Sequence, residues 1–144
     1  MYPVVVLALA ACNADAGAGE DVTSTKPYAD LIGARYSVVA DGLYAYGVYD
    51  PSDNETIRYV TLVPMGIGGR EFAFRRNVPK GQVITLLSSW SQPILFRSRV
   101  YYLVAVENSD LPSGVPVRLV LTRGNEGAGA DLNPAIYKKL PKDN

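Results

Sequence analysis

Residues 97–106, with the sequence RSRVYYLVAV, decide the fold class of this chain. Every second residue is apolar, in the set Val100, Tyr102, Val104 and Val106. A period of two is typical of a β-strand that places one face on a core and the other in solvent. We therefore predict that this apolar set faces the core, and that Arg97, Arg99 and Tyr101 form a stripe on the solvent face.

The same pattern recurs in runs rich in Val, Ile, Thr and Tyr, bounded by clusters of Gly, Pro, Asp, Asn and Ser. Seven strands are predicted, near residues 34–40, 43–49, 56–63, 70–76, 82–89, 99–107 and 116–123. In the last of them, alternation predicts that Arg118 faces solvent. The spacing indicates an all-β fold, a small antiparallel barrel or sandwich of about seven strands.

Two local signals add detail to this fold. Asp41-Gly42 lies between the first two predicted strands, and this dipeptide favours a tight type I′ hairpin. Near the C-terminus, Asn133 followed by Pro134 is typical of a helix start, with Asn133 as the N-cap. We therefore predict one short C-terminal helix, over about residues 134–140, that closes or caps the barrel.

Composition excludes several classes of function. The chain has 144 residues, with 14 Lys and Arg balancing 14 Asp and Glu, no His and one Cys. Zero formal charge argues against nucleic-acid binding, and the absence of His excludes the common His-dependent hydrolases and zinc sites. The acidic run at 50–55 is interpreted as a turn between strands, because it lacks the glycine and glutamate of a calcium loop. We expect no catalytic residues, metal or cofactor.

The N-terminal residues indicate a location. Residues 3–11 form an apolar run too short to span a bilayer, which needs roughly 20 residues. The run ends in Leu9-Ala10-Ala11-Cys12, which resembles the lipobox of bacterial lipoproteins. The resemblance implies that residues 1–11 are a cleaved signal peptide and that Cys12 carries the lipid, including palmitate. Because Asn13 follows instead of Asp, it also implies sorting to the periplasmic face of the outer membrane.

Domain organisation follows from this start. Residues 12–27 are small and polar, and are predicted to be a flexible tether between the lipidated Cys12 and the body. Residues 28–144 are predicted to be a single β-barrel-like domain and a monomer. The body resembles small SH3-like β-barrels of bacterial envelope proteins, a resemblance of architecture that implies no particular functional residues.

Candidate binding residues are tyrosines and arginines. Tyr44 and Tyr46 crowd one strand, the stripe Arg97, Arg99 and Tyr101 occupies another, and Arg70 ends the glycine-rich loop 66–70. Such side chains suit contacts with proteins or cell-wall polymers. The alternatives are that the tyrosines are half-buried strand formers, the arginines a solvated face and the loop a plain hairpin connection. The sequence thus predicts a lipid-anchored binding protein, for example an inhibitor or immunity protein. A structural accessory lipoprotein of an envelope assembly is the alternative, and an enzyme is less favoured.

Overall fold

The computed structural model describes residues 19–64, 72–122 and 124–142, and the strands in these ranges form one sheet. In chain order they are β1 (Glu20–Asp21), β2 (Arg35–Val38), β3 (Leu43–Tyr49), β4 (Ile57–Pro64), β5 (Phe72–Val78), β6 (Val83–Ile94), β7 (Arg97–Val106), β8 (Val117–Val120) and β9 (Tyr137–Lys139). A 3₁₀ turn at Tyr28–Leu31 precedes β2. The sheet curls into a half-barrel in the order β5-β3-β4-β8-β7-β6-β2-β9, and β1 pairs with β6. The predicted all-β class is confirmed.

All seven predicted strands are present, as β2 to β8. The largest difference in strand length is at β6, which extends to Ile94, whereas the predicted strand ended at residue 89. The first two residues of the predicted strand 70–76, and residue 123 of the last, lie outside the described residues. The period-two pattern therefore located the strands well, because each buries alternate residues against a common core.

One pair of strands departs from the predicted antiparallel arrangement. β4 and β8 are parallel, with Val60 opposite Val117 and Thr61 opposite Arg118, while the other strand pairs are antiparallel. This pairing inserts β8 between β4 and β7. As a result, side chains of β4 and β7 flank those of β8 on the same face of the sheet.

The hairpin predicted at Asp41-Gly42 is wrong. β2 pairs with β6 and β9, whereas β3 pairs with β4 and β5, so the two strands that flank this dipeptide are not neighbours. Gly42 has a positive φ of 86°, but Asp41 does not share it, and a type I′ turn requires both. The dipeptide allows the chain to bend sharply, while burial of the strands elsewhere decides their partners.

The predicted C-terminal helix over 134–140 is also wrong. Asn133 does cap a turn, because its Oδ1 accepts a hydrogen bond from the Ala135 amide at 3.0 Å. Its carbonyl accepts bonds from the amides of Ile136 and Tyr137. After this single turn the chain extends as β9 and pairs with β2, because that placement buries Tyr137 against the core.

The predicted tether over 12–27 needs correction at its C-terminal part. Glu20 pairs with Ser91 and Asp21 with Trp90, so β1 extends the sheet beside the outer half of β6. The turn after β1 is also bonded to β6, since Thr23 Oγ1 accepts a hydrogen bond from the Ser89 amide at 3.1 Å. The chain is therefore part of the domain from about residue 20, and residues 12–18 lie outside the described residues.

The main core fills one face of the curled sheet. Its buried side chains come from β2 to β8 and from the C-terminal segment, and include Tyr36, Leu43, Leu62, Ile84, Tyr102, Val104, Leu119 and Tyr137. The predicted core face of β7 is confirmed for Tyr102 and Val104. The opposite face of β7 is buried as well, because Trp90, Tyr101 and Leu103 form a second cluster there. The prediction that Tyr101 faces solvent is wrong, since its exposed fraction is 1%.

Candidate functional site

A cavity of about 260 Å³ lies on the face of the sheet opposite the main core. Its lining comes mainly from β3, β4, β7 and β8, with Phe72 from β5 and Gln92 from β6. Its polar and aromatic lining includes Tyr46, Tyr59, Arg99, Tyr101, Arg118 and Asn125. Several lining residues are only half buried, so the cavity opens at the surface of the protein.

Arg118 is the most deeply buried charge in this cavity, with an exposed fraction of 6%. Its guanidinium carbon lies 3.9 Å from the ring centre of Tyr59 and 4.6 Å from that of Tyr101. The two rings come from β4 and β7, the strands on either side of β8, and each attracts the cation by its π-electrons. Alternation placed Arg118 on a solvent face, and this is wrong because the flanking rings cover the side chain.

Burial lowers the pKa of the Arg118 guanidinium, because a desolvated cation is less stable than a hydrated one. The neighbouring Tyr101 and Tyr59 oppose this lowering, whereas the like charges of Arg58 and Arg99 add to it. A guanidinium does not lose its proton in proteins near neutral pH, so Arg118 stays positively charged. The cavity therefore contains a fixed positive charge in partly desolvated surroundings.

Arg99 supplies a second cation on the same face, two residues before Tyr101 on β7. Its Nη2 donates a long hydrogen bond of 3.4 Å to Oε1 of Gln92 on the neighbouring strand. Its Nε is buried and has no hydrogen-bond acceptor among the described residues. Arg99 thus presents donor capacity to the cavity that the described part of the fold does not use.

Tyr46 on β3 forms another part of the wall, with an exposed fraction of 1%. Its ring packs on Phe72 with centroids 4.5 Å apart. Its hydroxyl is buried and makes no hydrogen bond with any residue that the structure describes. Burying a hydroxyl in this way costs free energy, and a ligand that bonds to it would recover part of that cost.

Asn125 fixes the inner wall of the cavity. Its Nδ2 donates to the carbonyl of Leu62 at 3.0 Å and to that of Val120 at 3.2 Å, and its Oδ1 accepts from the Tyr137 hydroxyl at 2.5 Å. This buried amide therefore ties β4, β8 and β9 together. These three bonds leave the Asn125 amide well satisfied within the fold.

The structure brings three of the predicted binding residues together at this cavity, namely Tyr46, Arg99 and Tyr101. Tyr44 lies outside the lining; its ring is 6.4 Å from that of Tyr46 and lies under the guanidinium of Arg75 at 5.0 Å. Arg97 is exposed at the start of β7. Arg70 and Cys12 lie outside the described residues.

Sequence reasoning missed three contributors to the site, Arg118, Tyr59 and Asn125. The first was assigned to solvent, and the second was not considered. Asn125 lies in the loop after β8, and a buried polar residue in a loop produces no periodic pattern in the sequence. The sequence carries no signal for these roles, because an arginine that alternates with apolar residues is the ordinary pattern of a strand with one solvent face.

The cavity is lined mainly by groups that can donate hydrogen bonds. The described lining supplies guanidinium, hydroxyl and amide groups, and none of those lining residues is acidic. No group of side chains suited to a metal ion occurs in the described ranges. Such a lining suits an anionic group, above all a carboxylate, which accepts two hydrogen bonds from a guanidinium.

Comparison of the chain with known protein families, with curated proteins and with solved structures gave no match. The residues that the structure describes contain no helix long and apolar enough to cross a membrane.

Proposed function

We propose that this chain is a lipid-anchored binding protein of the bacterial envelope. Cys12 attaches it to the periplasmic face of the outer membrane, and the cavity between β3 and β7 recognises a protein or cell-wall partner. The proposal assigns the chain to binding instead of catalysis, with no cofactor. The N-terminal sequence supports the anchor, and the cavity supports the binding role.

The observation that carries the binding role is the composition of the cavity. Two arginines and several tyrosines converge there, and no acidic residue is among the described lining. Arginine and tyrosine are the residue types that most often dominate binding interfaces, because they combine large contact area with hydrogen-bonding capacity. We infer that the partner contributes a carboxylate.

The size of the cavity narrows the class of partner. Sites for cofactors and drug-sized ligands occupy roughly 300–1,000 Å³. A cavity of about 260 Å³ is below this range. It suits one acidic side chain or a chain terminus presented by a macromolecule, such as an acidic protein or the carboxylate-bearing peptides of the cell wall.

The test uses the full chain and two probes, solubilised cell-wall peptides and a synthetic peptide with a single Glu. Trp90 is the only tryptophan in the chain and packs with Tyr101, so its fluorescence reports binding. Arg99→Gln removes one cavity charge, and Arg97→Gln removes a charge from the same strand at an exposed position. We expect Arg99→Gln to weaken binding by about tenfold or more.

The matched variant Arg97→Gln should bind both probes like the wild-type chain. Equal losses in the two variants would mean that only overall charge matters, and would contradict a role for the cavity. Unchanged binding by Arg99→Gln would refute it directly. Affinity for one probe alone identifies which partner class the cavity serves.

A further inference from the structure

We propose that the tip of the β6–β7 hairpin, formed by Leu95 and Phe96, inserts into the lipid surface to which Cys12 attaches the chain. The tip would then fix the orientation of the domain and set the direction in which the cavity faces. This inference rests on the lipid anchor of the proposed function. It does not depend on which partner the cavity binds.

The first observation is exposure. Ile94 pairs with Arg97, so Leu95 and Phe96 form a two-residue turn. Their exposed fractions are 99% and 104%, the highest among the exposed large apolar residues of the described ranges. The fold therefore gains no burial from either side chain.

The second observation is the backbone of this turn. Leu95 has a φ of 48°, in the left-handed region that Gly, Asn or Asp adopt with least strain. Such residues are the usual choice for a two-residue hairpin turn. The positive φ adds strain at Leu95, and both large apolar side chains contact water, which makes a role outside the fold their best explanation.

The third observation is the direction of the N-terminal chain. β1 is antiparallel to β6, with Glu20 opposite Ser91 and Asp21 opposite Trp90. Followed from Asp21 back to Glu20, β1 therefore points along β6 toward the tip. Leu95 lies four residues beyond Ser91, which is about 14 Å along a strand.

The length of chain between the anchor and the domain is compatible with this geometry. Eight residue steps separate Cys12 from Glu20. Fully extended, they span at most about 29 Å. The anchor therefore keeps the domain close to the lipid surface, and the hairpin tip lies within that distance on the side from which the chain leaves.

The charge beside the tip also fits a lipid surface. Arg97 follows Phe96 directly and is exposed. An aromatic and an aliphatic side chain beside a cation match the interface of a bilayer, where apolar groups enter the acyl region and cations meet anionic headgroups. We therefore favour lipid over a protein as the occupant of this surface.

The experiment places a reporter at the tip of the lipidated protein. The mature chain is reconstituted into vesicles of phosphatidylethanolamine and phosphatidylglycerol, some with bromine-labelled acyl chains that quench nearby tryptophan. Phe96→Trp adds a reporter at the tip. Val39→Trp is the matched control, because Val39 is 40% exposed and follows β2 at the end of the sheet away from the tip.

We expect the additional emission of Phe96→Trp to shift to shorter wavelength and to be largely lost in brominated vesicles. Val39→Trp should be quenched no more than the wild-type chain, which contains Trp90 alone. An equal emission shift and equal quenching in the two variants would overturn the inference. The tip would then be assigned to contact with a protein partner. Circular dichroism of both variants checks that each is folded.

Palmitate labelling separates this result from a failure of the anchor. Label on the wild-type chain and none on Cys12→Ala supports the anchor, so that an unquenched tip then refutes the tip proposal alone. Wild-type chain that takes up no label, or label that persists in Cys12→Ala, refutes the anchor. In that case the lipid contact proposed here is refuted with it.

Discussion

Replacing Tyr46 by Phe is expected to increase the free energy of unfolding while weakening the binding of carboxylate probes. The Tyr46 hydroxyl is buried without a partner among the described residues, so the folded state bears its desolvation cost. Mutational data place that cost at about 1–3 kcal/mol. We therefore expect Tyr46→Phe to stabilise the protein by about 1 kcal/mol, allowing for incomplete recovery of this cost.

Tyr102→Phe is the matched control, because it removes the same atom from an equally buried ring. The Tyr102 hydroxyl donates to the carbonyl of Ala130 at 2.8 Å, so its loss also leaves that carbonyl without this bond. We expect a destabilisation of about 1–2 kcal/mol. The two variants should thus change stability in opposite directions, although each removes one hydroxyl.

Urea unfolding followed by circular dichroism and Trp90 fluorescence measures both free energies by linear extrapolation. A stability difference of 1 kcal/mol also shifts the melting temperature by roughly 3–5 °C in a domain of this size. A loss of more than about 0.5 kcal/mol in Tyr46→Phe would refute the reasoning, because it would show that the hydroxyl supports the fold. Gained stability with unchanged probe binding would remove Tyr46 from the site.

Two further predictions concern stability at high pH and the contribution of the N-terminal segment to stability. Burial, aided at Tyr36 by the bond to Asp131, raises the pKa of Tyr36, Tyr102 and Tyr137 above the ordinary value. Their contribution to stability should be complete below about pH 10 and be lost as pH rises above it, whereas a constant urea midpoint up to about pH 11 would contradict this. A chain that begins at residue 28 should melt at a lower temperature than one that begins at residue 19, because it lacks β1 and the Thr23 contact with Ser89. Equal melting temperatures of the two chains would contradict this and support the flexible tether predicted from the sequence.

The sequence predicted the strands but not their partners. Alternation finds a strand because each strand buries every second residue, and it located β2 to β8. It carries no information on which strands pair, so Asp41-Gly42 was taken for a hairpin although β2 and β3 lie far apart in the sheet. β1 and β9 have two and three residues, too few for a period to be visible.

The candidate site could be predicted only in part, for a related reason. Arg99 and Tyr101 were chosen because they share one face of β7, and they do share it, but side chains from neighbouring strands bury Tyr101 on that face. The parallel pairing of β4 with β8 places Tyr59 beside Arg118. Since that pairing joins residues nearly 60 positions apart, no local pattern could indicate that these aromatic rings cover the arginine.

The two edges of the described sheet limit how copies of the protein meet. β5 and β9 are the terminal strands, and a free strand edge offers unpaired backbone groups to any second chain. β5 carries Arg75 and Arg76, and β9 carries Lys138 and Lys139. Arg76 and Lys139 are each paired with a carboxylate, Asp110 and Asp131, so Arg75 and Lys138 are the cations that an edge-to-edge contact brings together. This charge opposes the assembly of copies of the chain into a continuous sheet.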